Sequence, residues 1–217
     1  PVIVLLDENI FRLYDDGTVR ELKRKWLRIN DAENASAERV QSLFLDTGTD
    51  TMDWIDCRVI RDGVSSKVHR ITRTNISDPE SRLYYSYDSV SADFGHLNDG
   101  DVLLFEYAVT RKGTPGYEGY FGRRVYFDRE QRLVRGRSLV IAPKGRSIAT
   151  KVYMASEKIS RTVEGDLALL DFSLSDQLSV KREKSMPHFS AVDVSVAYSS
   201  FTTWKEFHRW YAGLLKG

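Results

Sequence analysis

A chain of 217 residues, 41% hydrophobic and 29% charged, can bury a sizeable core and is too apolar for wholesale disorder. Its 32 lysines and arginines against 31 aspartates and glutamates leave a net charge of +1, which argues against a dedicated nucleic-acid binder. No run reaches the roughly 20 apolar residues of a membrane-spanning helix, and the single cysteine, Cys57, argues against an internal disulfide framework or a multi-cysteine zinc site.

In chain order, residues 2–6 form a short apolar run suited to a buried strand, and 9–14 follow. Asp15-Asp16-Gly17-Thr18 is a strong turn signal, and 19–29 make the return strand of a hairpin. Residues 30–37 are small and polar, hence a loop or a short exposed helical turn. Strands are expected at 40–45 and 54–60, with Arg61-Asp62-Gly63 turning the chain into 64–76. The pattern breaks at 77–81, around Pro79; residues 83–90, aromatic and serine-rich, suit a half-exposed strand. Asn98-Asp99-Gly100-Asp101 is a tight turn feeding 102–110. There Leu103, Phe105, Tyr107 and Val109 form an unbroken apolar face of a central core strand, and Glu106 interrupts the other face. After a glycine-rich loop at 112–119, strands are expected at 120–127, 133–141, 147–155, 159–163 and 167–174, with turns at 128–132, 143–145 and 164–166.

Val192, Val194, Val196 and Tyr198 fall on one strand face, and then the period changes. Trp204, Phe207, His208, Tyr211, Leu214 and Leu215 recur at three- and four-residue steps, which is one stripe of a helix over 203–215. Thr203 is its expected N-cap and Glu206 the reciprocal partner of a capping box. A terminal helix this apolar must dock, on the sheet before it or on a domain after it. Strand and turn signals every 8–12 residues or so, with one helix at the end, predict a mainly β protein. The expected architecture is an antiparallel two-sheet β-sandwich with a C-terminal amphipathic helix, one domain over 1–217. Pro1, without a methionine or signal peptide, reads as the start of a processed form or an excised piece.

Candidate chemistry is sparse. A nucleophilic cysteine needs a lowered pKa, exposure and a nearby base, whereas alternation puts Cys57 on the face of Ile55 and Val59, the setting of an inert core thiol. His69, His96, His188 and His208 show no metal-ligand spacing; His208 reads as a packing histidine and His96 as a loop residue. The run from Asp46 to Asp53 has glycine third and threonine sixth, so it departs from a calcium loop. Lys112-Gly113-Thr114-Pro115-Gly116 has its lysine ahead of the glycines, the wrong order for a phosphate loop. Asp7 and Glu8 are adjacent on a strand and point to opposite faces, so they are not a catalytic pair. Basic clusters at Lys23-Arg24-Lys25, Arg123-Arg124, Arg135 with Arg137, and Lys181-Arg182 with Lys184 suit anionic glycans or headgroups, or simply a solvated face with acidic neighbours. Tyr84, Tyr85, Tyr87, Tyr117 and Tyr120 suit stacking on sugar rings, and equally suit strands. No catalytic, cofactor-binding or metal-ligating residue is assigned.

Taken together, the chain resembles a bacterial domain of unknown function that precedes transglutaminase-like domains. The resemblance is carried by Val4-Leu5-Leu6-Asp7-Glu8 with Asp16-Gly17, by Cys57-Arg58-Val59-Ile60 with Asp62-Gly63, and by Leu97-Asn98-Asp99-Gly100-Asp101-Val102 ending at Glu106-Tyr107. Most specific is the ending, Ser199-Ser200-Phe201, Trp204, Trp210-Tyr211-Ala212 and Leu214, with Met186-Pro187 before the final strand. It covers nearly all of the sequence. The resemblance implies a β-sandwich within a longer, often exported bacterial protein with a papain-like Cys-His-Asp domain downstream, to which none of the residues here belongs. The expected function is therefore a non-catalytic accessory module, in the periplasm or cell envelope, whose partner is a downstream transglutaminase-like domain of the same chain. Trp204, Phe207, Trp210, Tyr211 and Leu214 are the candidate interdomain docking residues, turned inward on the sheet or outward on that domain. The alternative is a cell-envelope glycan-binding sandwich. No nucleic acid, membrane span or cofactor is expected.

Overall fold

In the computed structural model, which describes residues 1–77, 86–113, 120–127, 130–181 and 183–215 (189, 190 and 214 by backbone alone), the period-two alternation becomes fourteen strands among the described residues. β1 (Val2–Leu13) is continuous across both early apolar runs, with a bulge between Val4 and Leu6, and pairs antiparallel with β2 (Val19–Ile29). Gly17 takes φ 83° in the connecting turn, a left-handed value that favours glycine. A 3-10 turn at Ser36–Arg39 precedes β3 (Val40–Asp46). β4 (Asp50–Arg61) and β5 (Val64–Lys67) form a hairpin whose two loop residues, Asp62 and Gly63, both have positive φ, the twist-matched geometry of a two-residue β-turn.

β6 (Ile71–Asn75), β7 (Tyr87–Asp93) and β8 (Val102–Arg111) follow, then β9 (Gly122–Phe127), β10 (Arg132–Pro143), β11 (Ala149–Tyr153), β12 (Ser160–Glu164) and β13 (Leu167–Gln177). A short helix α1 (Phe189–Val192), the last strand β14 (Val194–Ser199) and the helix α2 (Trp204–Leu214) end the described chain. The expected strand over 64–76 splits into β5 and β6, and these enter different sheets. The last strand begins at Val194 because Val192 closes α1. Of the strand expected at 83–90, residues 83–85 lie outside the described residues, as do 78–81 around Pro79, 114–119 of the glycine-rich loop, and 128 and 129.

The protein is mainly β with a C-terminal helix, and the expected two-sheet antiparallel sandwich is corrected in two respects. The strands form three sheets: an eight-stranded one in the order β12-β13-β10-β1-β2-β8-β4-β5, and two three-stranded ones, β11-β14-β9 and β3-β7-β6. In the large sheet β1 pairs with β10 in parallel. Alternation fixes which face a side chain takes and is blind to a strand's neighbour and direction.

The core explains the division of the second layer. Beneath β9 and β14, Phe127, Val125 and Val196 are buried, and the Phe127 ring lies 5.9 Å from Phe172 of β13. The Tyr198 hydroxyl ties that small sheet to β10 by donating to Ser138 Oγ at 3.0 Å. Beneath β3 and β7, Leu43, Leu45, Val90 and Ala92 are buried. Between these two apolar lobes, polar side chains gather on the same face of the central strands, Asp7 and Asn9 on β1, Glu21 and Lys23 on β2, and Tyr107 and Arg111 alternating with the buried Phe105 and Val109 on β8. Each small sheet covers an apolar flank, and the polar seam between them is left under an open groove, since covering it without partners would cost desolvation of its charges.

The large sheet's other face carries a cross-strand row of alternating charge, Arg137, Glu8, Arg24 and Glu106. Arg137 reaches Asp171 at 2.7 Å and Glu8 at 3.3 Å, Arg24 reaches Glu8 at 3.3 Å, and the Trp26 indole donates to Glu106 at 2.6 Å.

Candidate functional site

The C-terminal helix gathers the candidate residues. The chain leaves β14 at Ser199, and Thr203 in extended conformation (φ −138°, ψ 153°) starts α2. Its hydroxyl accepts from the Glu206 amide at 3.2 Å. The Glu206 carboxylate accepts in return from the Thr202 hydroxyl at 2.8 Å, the Thr202 amide at 2.7 Å and the Thr203 amide at 3.2 Å. These bonds, that of the Thr202 hydroxyl foremost, hold the Glu206 carboxyl below its ordinary pKa. The capping box read from Thr203-Trp204-Lys205-Glu206 is thus complete, and it defines where the helix starts.

On this helix the aromatic residues divide. Phe207 and Trp210 face the body: the Phe201 ring lies 5.3 Å from Trp210 and 5.8 Å from Phe207, and Tyr120 stacks on Phe201 at 5.1 Å and on Trp210 at 6.1 Å. Trp204 is 77% exposed, Leu215 73% and Tyr211 49%, although Trp204 and Tyr211 touch Phe207 at 5.7 and 6.2 Å. The Leu214 side chain lies outside the described residues. Among the described residues, the ring contacts that join α2 to the rest of the chain run through Phe201 and Tyr120, so one flank of the stripe is seated and the other is open to water.

The nucleophile candidate is closed off. Cys57 is fully buried; burial, then the neighbouring Asp56 carboxylate, pushes its thiol up to about 12. A protonated thiol without access is no nucleophile at neutral pH. His69 and His96 border a hollow of about 510 Å³ with Arg61 and Arg70. Those arginines are held by Asp101 at 2.7 Å and Asp93 at 3.2 Å. His208 sits on α2 beside Trp204 and Phe207, at 6.2 and 5.9 Å. Among the described residues, no three histidine, cysteine or carboxylate side chains gather to hold a metal ion, and no helix is long and apolar enough to cross a membrane.

The basic clusters are drawn apart by the sheet. Lys23 bonds Asp7 and Asn9 in the groove, Arg24 turns to Glu8 on the other face, and Lys25 meets Glu38 at 3.9 Å. Asp7 and Glu8 accordingly part to opposite faces, as adjacent strand residues must. Arg124 donates to Ser195 at 3.0 Å and lies over the rings of Tyr126 and Tyr153, at 4.8 and 4.3 Å. Arg135, Lys181 and Lys184 are exposed. Of the tyrosines considered for sugar stacking, Tyr87 is half-buried, Tyr120 is engaged with Phe201, and Tyr84, Tyr85 and Tyr117 lie outside the described residues, as does Arg182.

One member of the Arg123-Arg124 cluster stands where the sequence did not place it. Arg123 takes the inward face of β9 in the series Phe121, Arg123, Val125, Phe127, the other three of which are buried. The charge interrupting an apolar alternation was the available signal. It was obscured because β9 is an edge strand, whose inward side chains reach a groove.

Comparison with known proteins places these features in context. The family described as "Domain of Unknown Function with solved-structure structure (DUF3857)" matches residues 15–181. A protein described as a "putative protease" from Parabacteroides distasonis ATCC 8503 shares the fold at TM-score 0.81 and 13% identity, over 93% of this chain and 40% of its own. The chain therefore spans less than half of that protein. An M1 zinc metallopeptidase from Deinococcus radiodurans aligns over 91% of this chain and 42% of its own at 9% identity, with a TM-score of 0.43. No curated protein matches the sequence.

Proposed function

The chain belongs to the DUF3857 family; we propose that it is a non-catalytic accessory module that docks on a transglutaminase-like domain of the same protein through the aromatic face of α2. The observation that carries this reading is Trp204, 77% exposed on a helix whose start is fully capped. Isolated helices shorter than about 12–15 residues are marginal in water and draw their stability from a packed apolar face. Here Phe207 and Trp210 seat the helix, while Trp204, Tyr211 and Leu215 add an exposed apolar surface, whose two rings touch Phe207 and, for Trp204, His208 of the same helix. Contiguous exposed apolar surface of this kind marks interaction sites, and tryptophan and tyrosine are the side chains that dominate them.

Two further observations support the reading. The sequence resembles a module that precedes papain-like Cys-His-Asp domains, most specifically in the stretch that becomes β14 and α2. The Parabacteroides distasonis protein devotes 40% of its chain to this fold, which leaves room there for a further domain. In this role the module supplies position and no reacting group; its one thiol stays buried and protonated. The same reading puts the protein among exported, cell-envelope proteins, which fractionation of the source cells checks.

Acrylamide quenching of tryptophan emission tests the docking. In the 217-residue chain, Trp204→Phe is expected to remove the largest single share of the quenchable emission, because Trp204 is 77% exposed against 37% for Trp54, while Trp26 and Trp210 are half-buried. In the complete protein the same substitution should change the quenchable fraction little, since Trp204 is covered. Equal quenching of Trp204 in both would overturn the proposal.

A further inference from the structure

Both small sheets cover one face of the eight-stranded sheet, and among the described residues no sheet lies on the other. The apolar side chains of that other face stand apart from the core. Leu6, Ile10, Leu22, Trp26, Leu104 and Ile141 are half-buried, and none packs against it. Ala108 and Leu139 are buried on this face, yet they too lie outside the core cluster. Trp54, the cross-strand neighbour of Ala108, is 37% exposed.

The pattern on this face matches itself. Cross-strand pairing sets Arg137, Glu8, Arg24 and Glu106 in one row, and Leu139, Ile10, Leu22 and Ala108 in the next. On the far side of the charged row, Leu6, Trp26 and Leu104 form a third. The line between β1 and β2 divides the sheet into four strands and four. About that line the charges read plus, minus, plus, minus, so a half-turn along the strands exchanges every arginine with a glutamate. The same half-turn brings Ile10 onto Leu22, Leu139 onto Ala108 and Leu6 onto Trp26. An axis along β1 or β2, or one across the strands, would set like charges on each other. At one border Arg12 would approach Arg20, whose charge Asp53 already meets at 2.8 Å.

The size of the face also suits an interface. Six neighbouring strands, β13-β10-β1-β2-β8-β4, are ten to twelve residues long. At about 4.8 Å between strands and ~3.3 Å per residue they span ~24 by ~33 Å, or ~800 Å². Each partner of a standard stable complex buries about that much, ~800 Å². We infer that this face receives a second copy of the chain, packed sheet on sheet about a two-fold axis that runs between β1 and β2. Aligned sheets pack through interdigitating apolar side chains, and the charged row fixes which register they take. A uniformly acidic or basic partner would meet a like charge at every second position of the row. A two-fold contact of this kind closes as a dimer. The surface is separate from the aromatic face of α2 and does not depend on its role.

Sedimentation equilibrium of the 217-residue chain across the micromolar range tests the inference, and a dimer is the expected species. Leu22→Glu and Ile10→Lys should each weaken association roughly a hundredfold, because each puts an unpaired charge into both copies of an apolar contact. An equal mixture of the two variants should associate again, since the new carboxylate of one chain then faces the new ammonium of the other. The mixture also separates a lost contact from a lost fold, because an unfolded variant cannot rescue its counterpart. A native chain that stays monomeric throughout, association indifferent to either substitution, or a mixture no better than its parts would each overturn the inference.

Discussion

Gly136 shows how closely the layers of this protein approach. A Cβ there would stand 2.8 Å from the Phe127 ring and 3.0 Å from a Leu133 methyl. The Phe127 ring is itself fully buried against Phe172, so it has nowhere to go. Gly136→Ala should cost about 1–3 kcal/mol by overpacking, read as a lowered denaturation midpoint with an unchanged slope. Cys57 gives a pH test. Its ordinary pKa is 9.0 and its folded value about 12, so the unfolded chain loses the proton first. The sign follows: the stability contributed by the neutral thiol is whole below pH 9.0 and is lost as pH rises toward 12. Melting curves of the native chain and Cys57→Ala should converge across that range, and a constant difference would show that the thiol does not ionise in the unfolded chain alone. Cys57 was legible from its alternation with Ile55 and Val59. Gly136 was not, because what fixes it is a ring that arrives from another sheet.

At the scale of elements, α2 and β9 contrast. The helix was readable from sequence to within a residue, since its cap and its stripe are local patterns. Which flank of that stripe the body covers was not readable, because it depends on Phe201 and Tyr120 meeting Trp210. Substituting Trp204 or Tyr211 with alanine should move stability of the 217-residue chain by no more than about 0.5 kcal/mol, as at exposed sites generally. Trp210→Ala should cost about 1 kcal/mol or more through lost ring contacts, visible first as faster amide exchange in α2 with the sheets unaffected. Equal losses at all three positions would mean that the helix is seated on its whole stripe. β9 shows the opposite case: its strand was expected, while its edge position, and with it the outlook of Arg123 onto the groove, follows from long-range pairing.

The whole molecule is one continuous eight-stranded sheet that carries two small sheets and leaves a polar seam uncovered between them. The mainly β character was legible because nearly every strand announces itself by alternation and a turn. The division into three sheets, and the parallel pairing of β1 with β10, were not, since alternation fixes the face of a side chain and is blind to a strand's neighbour and direction. Asp7, Asn9 and Lys23 look like ordinary exposed alternation in sequence; only their neighbours show that they lie on the face that carries the two small sheets, in the gap between them.

The central claim is that α2 is a docking surface, and hydrogen exchange measured on the 217-residue chain and on the complete protein tests it most directly. The account predicts that the amides of α2 exchange more slowly in the complete protein, and that Trp204→Ala with Tyr211→Ala abolishes this protection while leaving the sheets as they were. Identical exchange of α2 in the two proteins would contradict it.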